Sequence, residues 1–86
     1  MSIVQEGKEI VGGDRQEDYG DIHESFNRIA GLWSAYLAHP VNATDVAKMM
    51  ILLKVSRARH KDHHDSYVDI VGYVECIDRL LARTQA

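Results

Sequence analysis

The stretch from Asp45 to Tyr73, DVAKMMILLKVSRARHKDHHDSYVDIVGY, constrains the fold more than any other part of the chain. Its first half reads as a helix with apolar residues in almost every direction, among them Val46, Met49, Met50, Leu52, Leu53 and Val55. A helix that is apolar all round is buried all round, so this one calls for a central position or a second face given to a partner subunit. The same helix carries Lys54 and Arg57, and the helix after it opens with Asp65 and Asp69. Charges set into core-forming helices must be paired or put to use.

At about 100° per residue, Met50, Lys54, Arg57 and Lys61 share one stripe about 60° wide. Lys61 can reach solvent past the helix edge, whereas Lys54 lies further inside and has less room to do so. The short connection makes the two helices antiparallel neighbours, which brings Lys54 and Arg57 towards Asp65 and Asp69. One reading is a buried ion pair, Arg57 with Asp69 for instance, that fixes helix register. The other has the carboxylates holding a hydrated Mg²⁺ while Lys54 and Arg57 grip phosphate oxygens. Magnesium commonly takes one or two carboxylates plus substrate phosphates, so an i, i+4 pair is chemically sufficient.

The remaining segments predict two more helices. Ile3, Val4, Gly7, Ile10 and Val11 recur at helical spacing, and Gly12-Gly13 closes that short helix. The polar run DRQEDYGD, with Arg15, Asp18 and Tyr19, reads as a solvated connector. Ile22, Phe26, Ile29, Trp33 and Leu37 then form one stripe, broadened by Ala30 and Tyr36. Asp21 is its expected N-cap, Glu24 stands three residues on in a loose capping-box pattern, and Pro40 stops the helix. Glu24 and Asn27 lie on the far, polar face, which is either solvated or flanks a site shared with another helix.

Thr44 is the expected cap of the third helix, which the pattern carries to about His60. The fourth is expected from about Ser66 to Ala82, with Asp65 able to serve as its cap. Its core stripe is read as Tyr67, Ile70, Val74, Ile77 and Leu81. A second stripe, Asp65, Asp69, Gly72, Tyr73 and Cys76, is acidic at one end and small at the other. Gly72 in mid-helix costs about 1 kcal/mol relative to alanine, so close packing or a ligand is expected to need the gap. Cys76 reads as an inert small core residue. The dense histidines and aspartates of RHKDHHD read as a polar turn, because adjacent histidines in a loop rarely converge on one ion.

Composition narrows the classes further. With 86 residues, one proline and six glycines, the chain is expected to be a single all-α domain, residues 1–86, whose small core gains from oligomerisation. A net charge of −3 disfavours a dedicated nucleic-acid binder, despite the basic cluster from Lys54 to Lys61. The sole cysteine rules out an intrachain disulfide and points to a reducing cytoplasm. No signal peptide or membrane span is legible.

Four segments, RQEDYGD, LWSAYL, DVAKMMILLKVSR and DSYVDIVGY, resemble in this order a family of small phage and prophage proteins of unknown function. The succession D-Y-G, K-x-x-R, D-x-x-x-D and a following G-Y pair is similar to the helical nucleotide modification associated domain of phages. More remotely, the carboxylate-bearing helices resemble the MazG-type all-α nucleoside triphosphate pyrophosphohydrolases. That resemblance implies a four-helix, MazG-like bundle completed by oligomerisation, with Mg²⁺ held by carboxylates. Asp65 and Asp69 stand where an E-x-x-D would, and Glu24 is the one acid inside the second helix, so no E-E-x-x-E occurs. Arg15, Tyr19, Gly20, Lys54, Arg57 and Tyr73 match the phage pattern.

Together these features predict a nucleotide-binding protein that hydrolyses a nucleoside triphosphate with Mg²⁺ if it is an enzyme. Asp65, Asp69 and Glu24 would hold the metal, Lys54 and Arg57 the phosphates, and Arg15, Tyr19 and Tyr73 the rest of the nucleotide. The alternative is a non-catalytic homo-oligomer that regulates a host or phage partner, its charges serving as struts.

Overall fold

The computed structural model describes residues 2–12 and 21–85, and the elements they form are four α-helices. These are α1 (Ile3–Gly12), α2 (Ile22–Leu37), α3 (Ala43–Arg57) and α4 (His64–Gln85). The longest, α4, is the centre of the arrangement: α1 packs along one side of it and α3 along another. Helix α2 packs on α3 and meets α4 only slightly.

Local chemistry sets each helix end. Ser2 starts α1 by accepting from the backbone N–H of Gln5 at 3.1 Å. Asp21 caps α2 as expected, its Oδ1 accepting from the His23 N–H at 2.7 Å. Helix α2 ends when Ala38 turns left-handed (φ 53°), and the His39 N–H then reaches back to the Ser34 carbonyl at 3.2 Å. This is the usual device for satisfying last-turn carbonyls, here without glycine. The Ser34 hydroxyl holds the following loop by accepting from the Val41 N–H at 2.8 Å and donating to its carbonyl at 3.1 Å.

The cap of α3 corrects the expectation of Thr44. Asn42 occupies the cap, with its Oδ1 accepting from the Asp45 N–H at 2.8 Å while Asp45 Oδ2 accepts from the Asn42 N–H at 3.1 Å. This reciprocal box satisfies two orphan donors at once, which a threonine two residues later cannot do. Helix α3 also stops at Arg57 rather than His60, where the Ala58 N–H is shared between the Lys54 and Val55 carbonyls at 3.2 Å each. Helix α4 begins earlier than expected, at His64. His63 takes the cap position, its Nδ1 2.7 Å from the Ser66 hydroxyl and its carbonyl accepting from the Ser66 and Tyr67 N–H groups. Asp65 is therefore a first-turn residue, where a carboxylate suits the helix dipole, and not the cap.

The core is built from small side chains. Val11, Ala30, Val46, Ala47, Val68 and Cys76 are buried, with Gly7 and Gly72 among them. Gly7 fixes the α1–α4 crossing: a Cβ there would fall 2.6 Å from the Val71 Cβ and 2.8 Å from the Val68 carbonyl oxygen. Gly72 is not sterically required in the same way, since a Cβ there would meet its nearest neighbours at 3.6 Å.

Two expectations about faces are corrected. The inner line of α4 is Val68, Gly72, Cys76 and Leu80, on the side of the second expected stripe and roughly opposite the expected core stripe, and Val74 and Leu81 lie exposed. Of the two stripes on α4, the one with the smaller residues admits α1 at close range. Helix α3 buries only one face, through Ala43, Val46 and Ala47, while Leu52 (66% exposed), Val55 and Leu53 point outwards. On α2, likewise, Leu37 and Tyr36 are exposed rather than part of the core.

Candidate functional site

Lys54 and Asp69 form the ion pair at the heart of the charged cluster, with Nζ 2.9 Å from Oδ2. Both side chains are largely enclosed, 14% and 18% exposed. Lys54 enters from the last turns of α3 and Asp69 from the second turn of α4, as the antiparallel connection requires. The sequence offers Arg57 as the partner of Asp69, and the structure corrects this. Lys54 lies on the inward line of α3 that runs through Ala43 and Ala47, whereas Arg57 is rotated about 60° from Lys54 and sits exposed.

Asp69 also lines an open groove of about 210 Å³ between α2 and the other helices. Its α2 wall is the stripe Ile22, Phe26, Ile29 and Trp33, all half-buried because nothing in α1 or α4 packs fully against them. The opposite wall comes from α4: Asp69, Gly72, Tyr73 and Cys76, with Ile10 and Val11 of α1 and Met50 of α3 completing the lining. Phe26 and Tyr73 face each other across it, ring centroids 6.5 Å apart and tilted by 44°. The groove is therefore apolar and partly aromatic, with one member of the charged pair, Asp69, set into its wall.

The other sequence-selected residues scatter. Asp65 is exposed one turn before Asp69. Glu24 lies on the outer face of α2, 75% exposed and 3.7 Å from Arg28, and it does not join the two aspartates. Among the described residues, no three His, Cys, Asp or Glu side chains gather as a metal site. Arg15 and Tyr19 lie outside the described residues.

The polar turn before α4 is tied down by one bond to α1 and one local bond. His64 Nε2 lies 2.7 Å from Glu6 Oε2 of α1, and the Tyr67 hydroxyl donates to Asp62 Oδ1 at 2.6 Å. That bond to a carboxylate raises the Tyr67 pKa, because losing the proton would set two anions side by side. Burial pushes the Cys76 thiol up to about 11, which leaves it a poor nucleophile in the groove wall.

Sequence reasoning misses the groove itself. Its two walls are legible as separate stripes on α2 and α4, but not that they face each other across a gap. The Phe26–Tyr73 pair and the role of Gly7 escape for the same reason: both depend on how far apart the helices sit.

Comparison with known proteins places this site in a family. The model for a domain of unknown function, DUF6378, matches residues 2–81, nearly the whole chain. The chain belongs to this family. It is similar to the gene 55 protein of Mycobacterium phage L5, 46% identical over 83 residues that cover 93% of this chain and 53% of that protein. The gene 55 protein of Mycobacterium phage D29 is 39% identical over 80 residues, 92% of this chain and 53% of that protein. The chain thus spans about half the length of the curated relatives it matches. No solved structure matches. The expected kinship with phage proteins of unknown function holds for this DUF6378 member, and no helix among its described residues is long and apolar enough to cross a membrane.

Proposed function

We propose that this DUF6378 protein binds a nucleotide, with a nucleoside triphosphate as the first candidate. One observation carries the reading: an apolar, aromatic groove has Asp69 in its wall, paired with Lys54 behind it, and a further arginine stands one turn beyond that lysine. A base is flat and apolar on its faces, and it fits against Phe26, Trp33 and Tyr73. Its phosphates would lie towards Lys54 and Arg57, where lysine supplies a point charge and arginine a planar fork. Arg15 and Tyr19 keep their assignment to the nucleotide from the phage-family pattern.

A magnesium ion belongs to the reading only together with the phosphates. Asp65 and Asp69 would supply two carboxylates, and Mg²⁺ is satisfied by that number when phosphate oxygens and waters complete its shell. Glu24 would join only after a rearrangement, since it stands apart on α2. Hydrolysis in the manner of MazG-like bundles is the extension of this proposal, set in the cytoplasm and carried out by a homo-oligomer.

A second reading rests on a specific contact. The Lys54 ammonium already neutralises Asp69 at 2.9 Å, which is what a structural strut requires. On that reading the chain is a non-catalytic oligomer acting on a host or phage protein. Calorimetric titration with each common ribo- and deoxyribonucleoside triphosphate, with and without Mg²⁺, separates the two. Mg²⁺-dependent heat, with chemical-shift changes confined to the Lys54-to-Tyr73 segment and the α2 stripe, supports the groove. Silence from every nucleotide at millimolar concentration leaves the strut.

A further inference from the structure

The Lys54–Asp69 pair limits what the site can accept. Nζ and Oδ2 stand 2.9 Å apart, and the two side chains are 14% and 18% exposed. Splitting such a pair leaves a poorly solvated charge on each side unless another opposite charge replaces the lost partner. The two members also face different surroundings. Asp69 lines the groove, whereas Lys54 reaches it from α3, behind that wall.

The carboxylates by themselves make a weak metal site. Asp65 stands exposed one turn before Asp69 on α4, and no third His, Cys, Asp or Glu joins them among the described residues. Two carboxylates fit Mg²⁺ only when phosphate oxygens and waters complete its shell. The phosphate side falls short in its turn. A triphosphate drawn to Lys54 arrives beside the Asp69 carboxylate, and like charges at that separation repel.

Each component alone therefore strands a charge. If phosphate takes the ammonium, Asp69 is left facing an anion; if a metal ion takes the carboxylate, Lys54 is left facing a dication. A metal–phosphate complex strands neither, because it carries both signs of charge itself. Lys54 turns to its phosphate oxygens and Asp69 to its metal, and one internal ion pair is exchanged for two charge-assisted contacts.

We propose that the site takes the magnesium–nucleotide complex as one ligand, by opening the Lys54–Asp69 pair, and discriminates against free Mg²⁺ and against the metal-free nucleotide. Arg57 extends the phosphate half and Asp65 the metal half, each one turn along its helix. The proposal rests on the nucleotide reading above and adds which form of the ligand enters. Its coupling is reciprocal, since whichever component opens the pair releases the side chain that the other one needs.

Calorimetry on the full chain tests this with MgCl₂ alone, with each common nucleoside triphosphate in EDTA, and with the two together. The mixture should bind at least roughly tenfold more tightly than either component, within the usual range of site-to-site coupling. The side-chain ammonium resonance of Lys54 and the carboxyl resonance of Asp69 should both shift with the mixture and stay still with either component. The single variants should then cross over. Asp69→Asn should bind triphosphate in EDTA more tightly than the wild type does, and Lys54→Met should gain Mg²⁺ binding without nucleotide. A strut alone produces neither gain, and circular dichroism at low temperature checks that each variant is folded. If the mixture binds while both wild-type resonances stay still, the exchange is overturned and the nucleotide reading stands, whether or not the variants fold. Folded variants that gain nothing overturn it too, as does a component that binds alone as tightly as the mixture. If no nucleotide binds with Mg²⁺, both readings fall together.

Discussion

Lys54 reaches across from α3 to set its ammonium 2.9 Å from the Asp69 carboxylate in α4, with both side chains more than four-fifths enclosed. The pair joins the two helices that pack most extensively, so it bears on stability whatever it does for a ligand. Removing one charge leaves the other poorly solvated and without its opposite number. Asp69→Asn or Lys54→Met should therefore cost about 2–3 kcal/mol, somewhat below the range for fully buried pairs. That corresponds to a fall in Tm of roughly 10–20 °C for a domain of this size. Thermal melts of the two single variants and of the double variant Lys54→Met/Asp69→Leu test it, and the double variant should recover much of the loss.

Gly7 and Gly72 are expected to respond in opposite ways to alanine. At Gly7 the new methyl would lie 2.6 Å from the Val71 side chain, so α1 must shift away from α4. Overpacking of this kind outweighs the gain in helix propensity, and Gly7→Ala should destabilise by about 1–2 kcal/mol. At Gly72 the methyl fits at 3.6 Å from its neighbours, so Gly72→Ala should stabilise the apo protein by up to about 1 kcal/mol. Because Gly72 lines the groove, the same change should weaken nucleotide binding. Urea unfolding paired with titration checks both; a Gly72→Ala variant that is less stable would contradict the geometry.

The four helices are legible in the sequence because periodicity and caps act locally. The α2 stripe, Asp21 as a cap and the short α1 all follow from residues within a turn or two of each other. Choices between near-equivalent local solutions are less legible. Thr44 and Asn42 are both good caps, and only the reciprocal bond with Asp45 decides for Asn42. Both stripes of α4 offer side chains that can pack, and which one faces inwards is set by α1 arriving close at Gly7, a long-range fact. In the site, the sequence brings Lys54 and Asp69 near each other, but the pairing itself turns on about 60° of rotation between Lys54 and Arg57. Glu24 is drawn towards the aspartates only by analogy, and the helix positions leave it on the far side.

The α3 cap should be worth a measurable amount. Asn42→Ala removes the acceptor for the Asp45 N–H and for the Thr44 hydroxyl, leaving only the bond from the backbone N–H of residue 42 to Asp45 Oδ2. Loss of such a cap costs about 1 kcal/mol. Asn42→Ser should recover most of it, since serine also accepts from the third residue of the helix. Chemical denaturation of the three proteins makes the comparison.

Cys76 should be silent to thiol reagents in the folded protein at pH 8 and react only on unfolding, because its thiol ionises at about 11 when folded. The linkage has a definite sign. The unfolded thiol loses its proton near its ordinary value of 9.0, while the folded thiol still holds it. Between those two values the unfolded state binds fewer protons, so stability falls as pH rises from about 9 towards 11. Cys76→Ala should lack this contribution. Unfolding free energies of both proteins at pH 8 and pH 10.5 measure the difference.

Arg57 separates ligand binding from stability. It is exposed at the end of α3, and no ion pair holds it among the described residues. Arg57→Ala should therefore change the unfolding free energy by no more than about 0.5 kcal/mol, as is usual for surface positions. If phosphates lie along Lys54 and Arg57, the same change removes a charge-assisted contact worth about 1.5–3 kcal/mol. Affinity for the triphosphate should then fall roughly ten- to a hundredfold, with the melting temperature untouched. Arg57→Lys should restore part of it, because the charge returns without the planar fork. Calorimetry at fixed Mg²⁺ with the three proteins reads this directly. Equal affinity in all three would place the phosphates away from the end of α3 and leave Lys54 with its structural partner alone.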